Sequence, residues 1–294
     1  DWDLLDQIAR VGFWRWTLQP FAENVVPVFK LLWGGLVWAG GGSYLPLVLA
    51  LWLTHALNTI LFARLLQAGG WPRVAGMVAT AVFALSAANV ETLAWSVQWS
   101  ALLAVTFCLL AAHWLYPRID QPGLASGSSL IVLAALSALS ALTFARGVLT
   151  GAALAGVLVL APRSGGVRPA ERLKAIAAVL VPALAVAVTI LVMSGGNHRS
   201  LGGHGGEMVA FALSYWAAAP LQRLLELGPW QLQPVIALGL AKLALIVWVW
   251  RRADPPQRRL LLLFILLDLG NAALLGIGRH HTGLPAANSE RYQY

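Results

Sequence analysis

Eleven of the twelve carboxylates in this 294-residue chain lie in or at the edges of the connections between long apolar runs. One set of connections contains Asp1, Asp3, Asp6, Glu23, Glu91, Glu207, Glu226 and Glu290, together with Arg146, Arg199, Arg279 and Arg291 and the histidines His198, His204, His280 and His281. Carboxylates act as general bases or hold a divalent cation, and an arginine offers two parallel donors to a phosphate. The residues are spread over separate loops, so they can act together only if the fold gathers those loops. A lone glutamate in such a loop is more often a solvated surface group, and the His280–His281 pair is more often interfacial than a ligand pair.

The elements that must do the gathering are helices in a membrane. Apolar residues make up 59% of the chain and charged residues only 11%, where a soluble domain carries about 25% charged. Apolar runs of 16 to 22 residues recur at 46–67, 72–90, 95–116, 127–145, 147–162, 173–194, 232–250 and 259–278. They predict an all-α, polytopic transmembrane bundle of about eight spans. The run 207–219 is too short to span and is expected to be interfacial or re-entrant; if it crosses, the later topology inverts. One cysteine, Cys108, excludes a disulfide framework. No signal peptide pattern opens the chain.

The net charge of +8 is distributed unevenly. Short connections contain Arg64, Arg73, Arg118, Arg163, Arg168, Arg172, Lys174, Arg251, Arg252, Arg258 and Arg259 against only Asp120, Glu171 and Asp254. The other connections are longer and balance eight cations with eight acids. By the positive-inside rule the short basic loops are cytoplasmic, and segments 1–45, 195–231 and 279–294 face out. The whole net charge is then orientation signal, and nucleic acid is excluded as a partner. Lys242 and Asp268 are the charges left inside spans. Each lies nine residues from a basic loop, about 13 Å deep at the helical rise, so the two are expected to pair. An isolated charge at that depth costs about 3 kcal/mol on insertion scales. A proton or ion relay is the functional alternative.

Residues 4–18 place Leu4, Leu5, Ile8, Val11 and Trp14 at helical spacing, with Trp2, Phe13 and Trp16 suited to a membrane interface. Residues 25–40, "VVPVFKLLWGGLVWAG", read as a second interfacial helix. Together they form a shelf beside the lipid headgroups, where a lipid-borne substrate could be received. His55 and Asn58 share one face of their span and are expected to bond neighbouring helices. The "DWD" at residues 1–3 is uninformative as a bare D-x-D, because that motif in soluble nucleotide-sugar transferases sits in an α/β fold.

Motif order adds more. "DWDLL" is followed by "FAENVVPVFKLLW", then "LTHALNTILFARLLQ", "VFALSAANVETLAWSVQWSALLAV", "FARGVLT" and finally "NSERYQY". This order resembles the bacterial membrane glycosyltransferases of the GT-C superfamily, the protein O-mannosyltransferase-like and tetratricopeptide-linked mannosyltransferase-like enzymes among them. The likeness covers most of the chain, and it implies one GT-C-like domain over 1–294 that continues beyond both ends, with the family's first span preceding residue 1. It implies transfer of a sugar from a polyprenyl-phosphate donor to an acceptor hydroxyl, on the outer face of a bacterial inner membrane. By resemblance Asp1 or Asp3 matches the first-loop catalytic acid, Glu23 the second acid of that loop and Glu91 the acid of the next outer loop. Arg291 and Tyr292 match a late Arg-Tyr, and Arg146 occupies an outer turn where a basic residue is common. Arg199 is a further candidate for the phosphate.

The cofactor stays open. A divalent metal, Mg2+ or Mn2+, is what Asp3, Glu23 and Glu91 could hold. The sequence departs from the family at Asn24, where a histidine is frequent, at 86–89, "SAAN", and at "ERY" in place of "SRY". A degenerate relative and a lipid or solute transporter are the alternatives. No internal repeat supports the transporter.

Overall fold

The computed structural model describes residues 2–21, 24–86, 90–161, 166–193, 204–218, 232–284 and 287. Its regular structure is helical. Among the described residues no strand forms, and one isolated bridge pairs Phe21 with Asn24.

Three helices make the shelf: α1 (Trp2–Val11), α2 (Phe13–Leu18) and α3 (Pro27–Ala39). Gly12, at φ +82°, turns the chain between the first two. Leu4 from α1 is buried in an apolar cluster with Trp16, Val26, Phe29 and Trp33. Leu47, Leu51, Leu93 and Trp99 of the following helices complete that cluster, so the shelf is built into the bundle.

The bundle runs through α4 (Leu45–Ala68), α5 (Arg73–Leu85), α6 (Val90–Ala94), α7 (Trp99–Leu115), α8 (Gly127–Thr143), α9 (Val148–Leu160) and α10 (Pro169–Met193). It ends with α11 (Gly205–Ala218), α12 (Leu232–Arg252) and α13 (Pro255–Arg279). Five stretches are long and apolar enough to cross a membrane: Leu45–Ala68, Ser96–Arg118, Pro169–Met193, Gln233–Arg252 and Pro255–Thr282. The other three expected spans form shorter helices of 13, 17 and 13 residues (α5, α8 and α9). At the helical rise these are about 20–26 Å long, under the roughly 30 Å of a hydrocarbon core.

Local chemistry sets several of these ends. Pro46 opens α4 in its first turn, and Gly69 followed by Gly70 (φ +71°) closes it. Asp254 and Gln257 form a reciprocal capping box at the start of α13. Phe144 is extended and stops α8, and a 3-10 turn, Ala145–Gly147, reverses the chain into α9. At Gly147 an added Cβ would stand 1.9 Å from the Ser140 carbonyl oxygen, so only glycine permits so tight a reversal. Gly151, one turn on, would place a Cβ 2.4 Å from Val179 O, which lets α9 and α10 pack backbone to backbone.

Neutral polar groups join the central helices. Asn58 Nδ2 donates to Leu102 O (2.9 Å), and Thr106 Oγ1 donates to Asn58 Oδ1 (2.7 Å). His55 Nε2 lies 3.0 Å from Ala84 O, and a carbonyl only accepts, so that nitrogen donates. Ser137 Oγ donates to Val179 O (2.6 Å), and Ser140 Oγ to Ala104 O (3.0 Å). The pairing expected of His55 and Asn58 is thus present, from α4 to α5 and α7.

The bundle has two unlike ends. One, the arginine end, collects Arg118, Arg168, Arg252 and Arg259. There Arg259 pairs with Asp120, Tyr116 Oη donates to Pro256 O (2.6 Å), and Gln257 Nε2 donates to Gly70 O (2.8 Å). The opposite, histidine end contains the shelf, the Arg146 turn, His204 and His280.

Candidate functional site

The shelf is held by a buried cation that the sequence did not announce. Lys30 is 1% exposed, and its Nζ donates to Trp16 O (2.7 Å) and Gln19 O (2.8 Å), 4.7 Å from the Trp16 ring centroid. Those carbonyls lie at the C-terminal end of α2, where backbone acceptors lack helical partners and a cation is favoured. Burial lowers the Lys30 pKa from 10.5 to about 8. Around this lock, Trp33 Nε1 donates to Ser96 Oγ (3.1 Å), Ser96 N to Tyr44 Oη (3.1 Å) and Trp99 Nε1 to Thr54 Oγ1 (2.8 Å). These bonds fasten the shelf to the start of α7.

Several candidate loops meet here. Asp3 is exposed on α1, beside the buried Leu4. Glu91 lies on α6, two residues from Leu93 of the same apolar cluster; its side chain lies outside what is described. Asn24 Oδ1 accepts from Ala145 N at 3.3 Å, across 121 residues of sequence, which ties the loop after Glu23 to the Arg146 turn. Asp1, Glu23, Arg199, Arg291 and Tyr292 lie outside the described residues.

The second polar region lies deeper. α11 runs antiparallel to α13 from the histidine end. His204 meets His280, an added Cβ on Gly276 would meet Met208 O and Ala212, and Asn271 Nδ2 donates to Tyr215 Oη (2.7 Å). Of the two placements expected for this segment, the helix thus penetrates the bundle rather than lying across its end. Fourteen residues carry it about 20 Å. Its last turn reaches the charges inside the spans: Lys242 Nζ lies 2.7 Å from Asp268 Oδ2 and 2.8 Å from Trp216 O. The cation is thus answered by a carboxylate and by a backbone carbonyl of α11, both favourable to positive charge. Asn271 Oδ1 and Trp216 Nε1, an acceptor and a donor, are buried there with no hydrogen-bond partner among the described residues.

Sequence reasoning missed Lys30, Tyr215 and Asn271. Asn271 had a signal, since it sits three residues after Asp268 and so shares its helix face. Lys30 had none, because an interfacial helix normally points a lysine at water.

A third cluster joins His204, Glu207 and His280, whose ligand atoms lie within 4.8 Å of one another. Sequence reading assigned any metal to Asp3, Glu23 and Glu91; among the described residues the geometry that could hold one is this set. No family model, curated protein or solved structure matches the chain.

Proposed function

We propose that the chain is the membrane part of a glycosyltransferase that moves a sugar from a polyprenyl-phosphate donor to an acceptor hydroxyl. The order of its motifs suggests the chemistry. The observation that carries the reading furthest is the Asn24–Ala145 hydrogen bond. It joins the loop of the second acid to the turn of Arg146, on the same shelf that presents Asp3. In this reading the three shorter helices complete eight crossings, and the histidine end faces outward from a bacterial inner membrane.

The shelf would receive the lipid-borne donor along its apolar face. Asp3, exposed on α1, would take the proton from the acceptor hydroxyl as that oxygen bonds to the sugar's anomeric carbon. The bond from that carbon to the phosphate oxygen breaks, and polyprenyl phosphate leaves with the electron pair. Arg146, with Arg291, would neutralise the charge that develops on that oxygen. Glu23 and Glu91 would orient the sugar.

The test uses the full-length protein in proteoliposomes with labelled polyprenyl-phosphate sugar. Asp3→Asn and Arg146→Ala should each lower transfer by at least about 100-fold, the usual loss for a general base or a charge-stabilising donor. Normal transfer by both variants would remove the glycosyltransferase reading.

One observation favours a second reading, a transporter. The Lys242–Asp268 pair within two apolar helices, with a carbonyl of α11 on the lysine, places polar groups where a transporter would hold a substrate or ion. Uptake abolished by Lys242→Met with transfer absent throughout would select it.

A further inference from the structure

At the histidine end the first turn of α11 meets the last turn of α13. His204 Nδ1 lies 3.1 Å from Glu207 Oε2, and the His204 and His280 ring centroids are 5.6 Å apart. His280 Nδ1 lies 3.2 Å from both Gly276 O and Ile277 O. Those carbonyls can only accept, so Nδ1 carries the proton and Nε2 keeps its lone pair. A histidine oriented by a backbone carbonyl through one nitrogen, with the other left bare, is the arrangement that metal-ligating histidines adopt.

We infer that His204, Glu207 and His280 form a Zn2+ site joining α11 to α13. Two imidazoles and one carboxylate are the donors zinc takes, at about 2.0–2.2 Å each, whereas Mg2+ and Mn2+ favour oxygen sets. Tetrahedral ligands at those distances stand about 3.3–3.5 Å from each other. The existing separations, 3.1 Å for the His204–Glu207 pair and no more than 4.8 Å for any, bracket that value. The three residues supply three positions and leave a fourth for water or for the neighbouring His281, whose ring centroid lies 5.9 Å from that of His280. Placement adds to the fit. The carbonyl end of α13 is its negative pole, which offsets the positive pole of α11 at the same spot. The site is distinct from the acids assigned to catalysis, and it would anchor α11, which reaches the Lys242–Asp268 pair.

The experiment is a zinc titration of the full chain in detergent, purified without a polyhistidine tag, with a chromophoric chelator as competitor. One equivalent of Zn2+ should bind with a Kd in the micromolar range or below. Co2+ in its place should give the intense visible absorption of a four-coordinate ion. His204→Ala and His280→Ala should each weaken binding by at least about tenfold, and Glu207→Gln should do the same. His204 and Glu207 are exposed, so the monodisperse elution of their variants checks that folding is intact. Unchanged affinity in His204→Ala and Glu207→Gln overturns the assignment. So does displacement of the bound ion by an equal concentration of Mg2+.

Discussion

Two halves of the bundle handle polar groups in opposite ways. In the half built from α4 and α7–α10, polar side chains are neutral, small and sealed. Asn58, Ser137, Ser140 and Thr143 have no exposure, and each is bonded to a backbone carbonyl. The half built from α11–α13 adds to neutral groups such as Asn271 and Tyr215 a charged pair that is only partly covered, the Lys242 and Asp268 side chains being 20% and 35% exposed. Burial of the apolar windows varies within each half, from 61% for Ser96–Arg118 to 17% for Pro169–Met193 in the first, and from 33% for Pro255–Thr282 to 6% for Gln233–Arg252 in the second. Short hydroxyl side chains let helices approach until a side-chain oxygen bonds a facing backbone carbonyl, and Gly147 and Gly151 allow close backbone approach. Of the two helices that hold the Lys–Asp pair, α12 lies at the edge, while α13 adds Leu260 and Leu263 to the main apolar core.

The comparison can be broken in several places. Gly147→Val should have the largest effect, since its side chain would enter the Ser140 carbonyl. A loss of at least about 3 kcal/mol is expected, seen as failure to elute as a monodisperse species, while Gly35→Ala, which meets nothing within 4 Å, should elute normally. Next is Asp268→Ala, which strands Lys242 and should cost up to about 3 kcal/mol in mixed-micelle unfolding. The double change Lys242→Met, Asp268→Leu should recover most of that loss, because no charge is left unpaired. Asn58→Ala should cost about 1 kcal/mol, the scale of interhelical hydrogen bonds in membranes. If it cost more than Asp268→Ala, the division between the halves would fall.

The smallest effect concerns the shelf. The folded-state pKa of Lys30 is about 8 against 10.5 for the ordinary group. Above pH 8 the unfolded chain therefore holds a proton that the folded chain has released, and stability rises with pH. From pH 8 to 8.5 the gain should be about 0.4 kcal/mol. Thermal unfolding of Lys30→Met should lack this slope.

Much of this organisation was legible in the sequence, for identifiable reasons. The apolar runs marked where helices lie, because hydrocarbon leaves no other way to satisfy a backbone. The Lys242–Asp268 contact followed from equal depth on consecutive antiparallel helices. The shelf followed from the spacing of Leu4, Leu5, Ile8 and Val11. Helix length was less legible. The apolar stretches 127–145 and 147–162 do not say that Ala145–Gly147 winds as a 3-10 turn between them. The metal-binding geometry was illegible too: His204 and Glu207 are close in sequence, but His280 is seventy-six residues further on.

By itself, then, the sequence determined that the chain is helical with stretches long and apolar enough to cross a membrane, which segments those are, and that its excess of positive charge gathers in the short connections. Those properties depend on composition and on residues near each other along the chain. Only the tertiary structure decided that α11 enters the bundle, that Asn24 meets Ala145, and that a backbone carbonyl of α11 meets Lys242. It also decided that Lys30 points inward onto two carbonyls. Each is a contact between segments brought together by packing, and packing depends on where a Gly147 or a Gly151 lets two backbones approach, which no local pattern records.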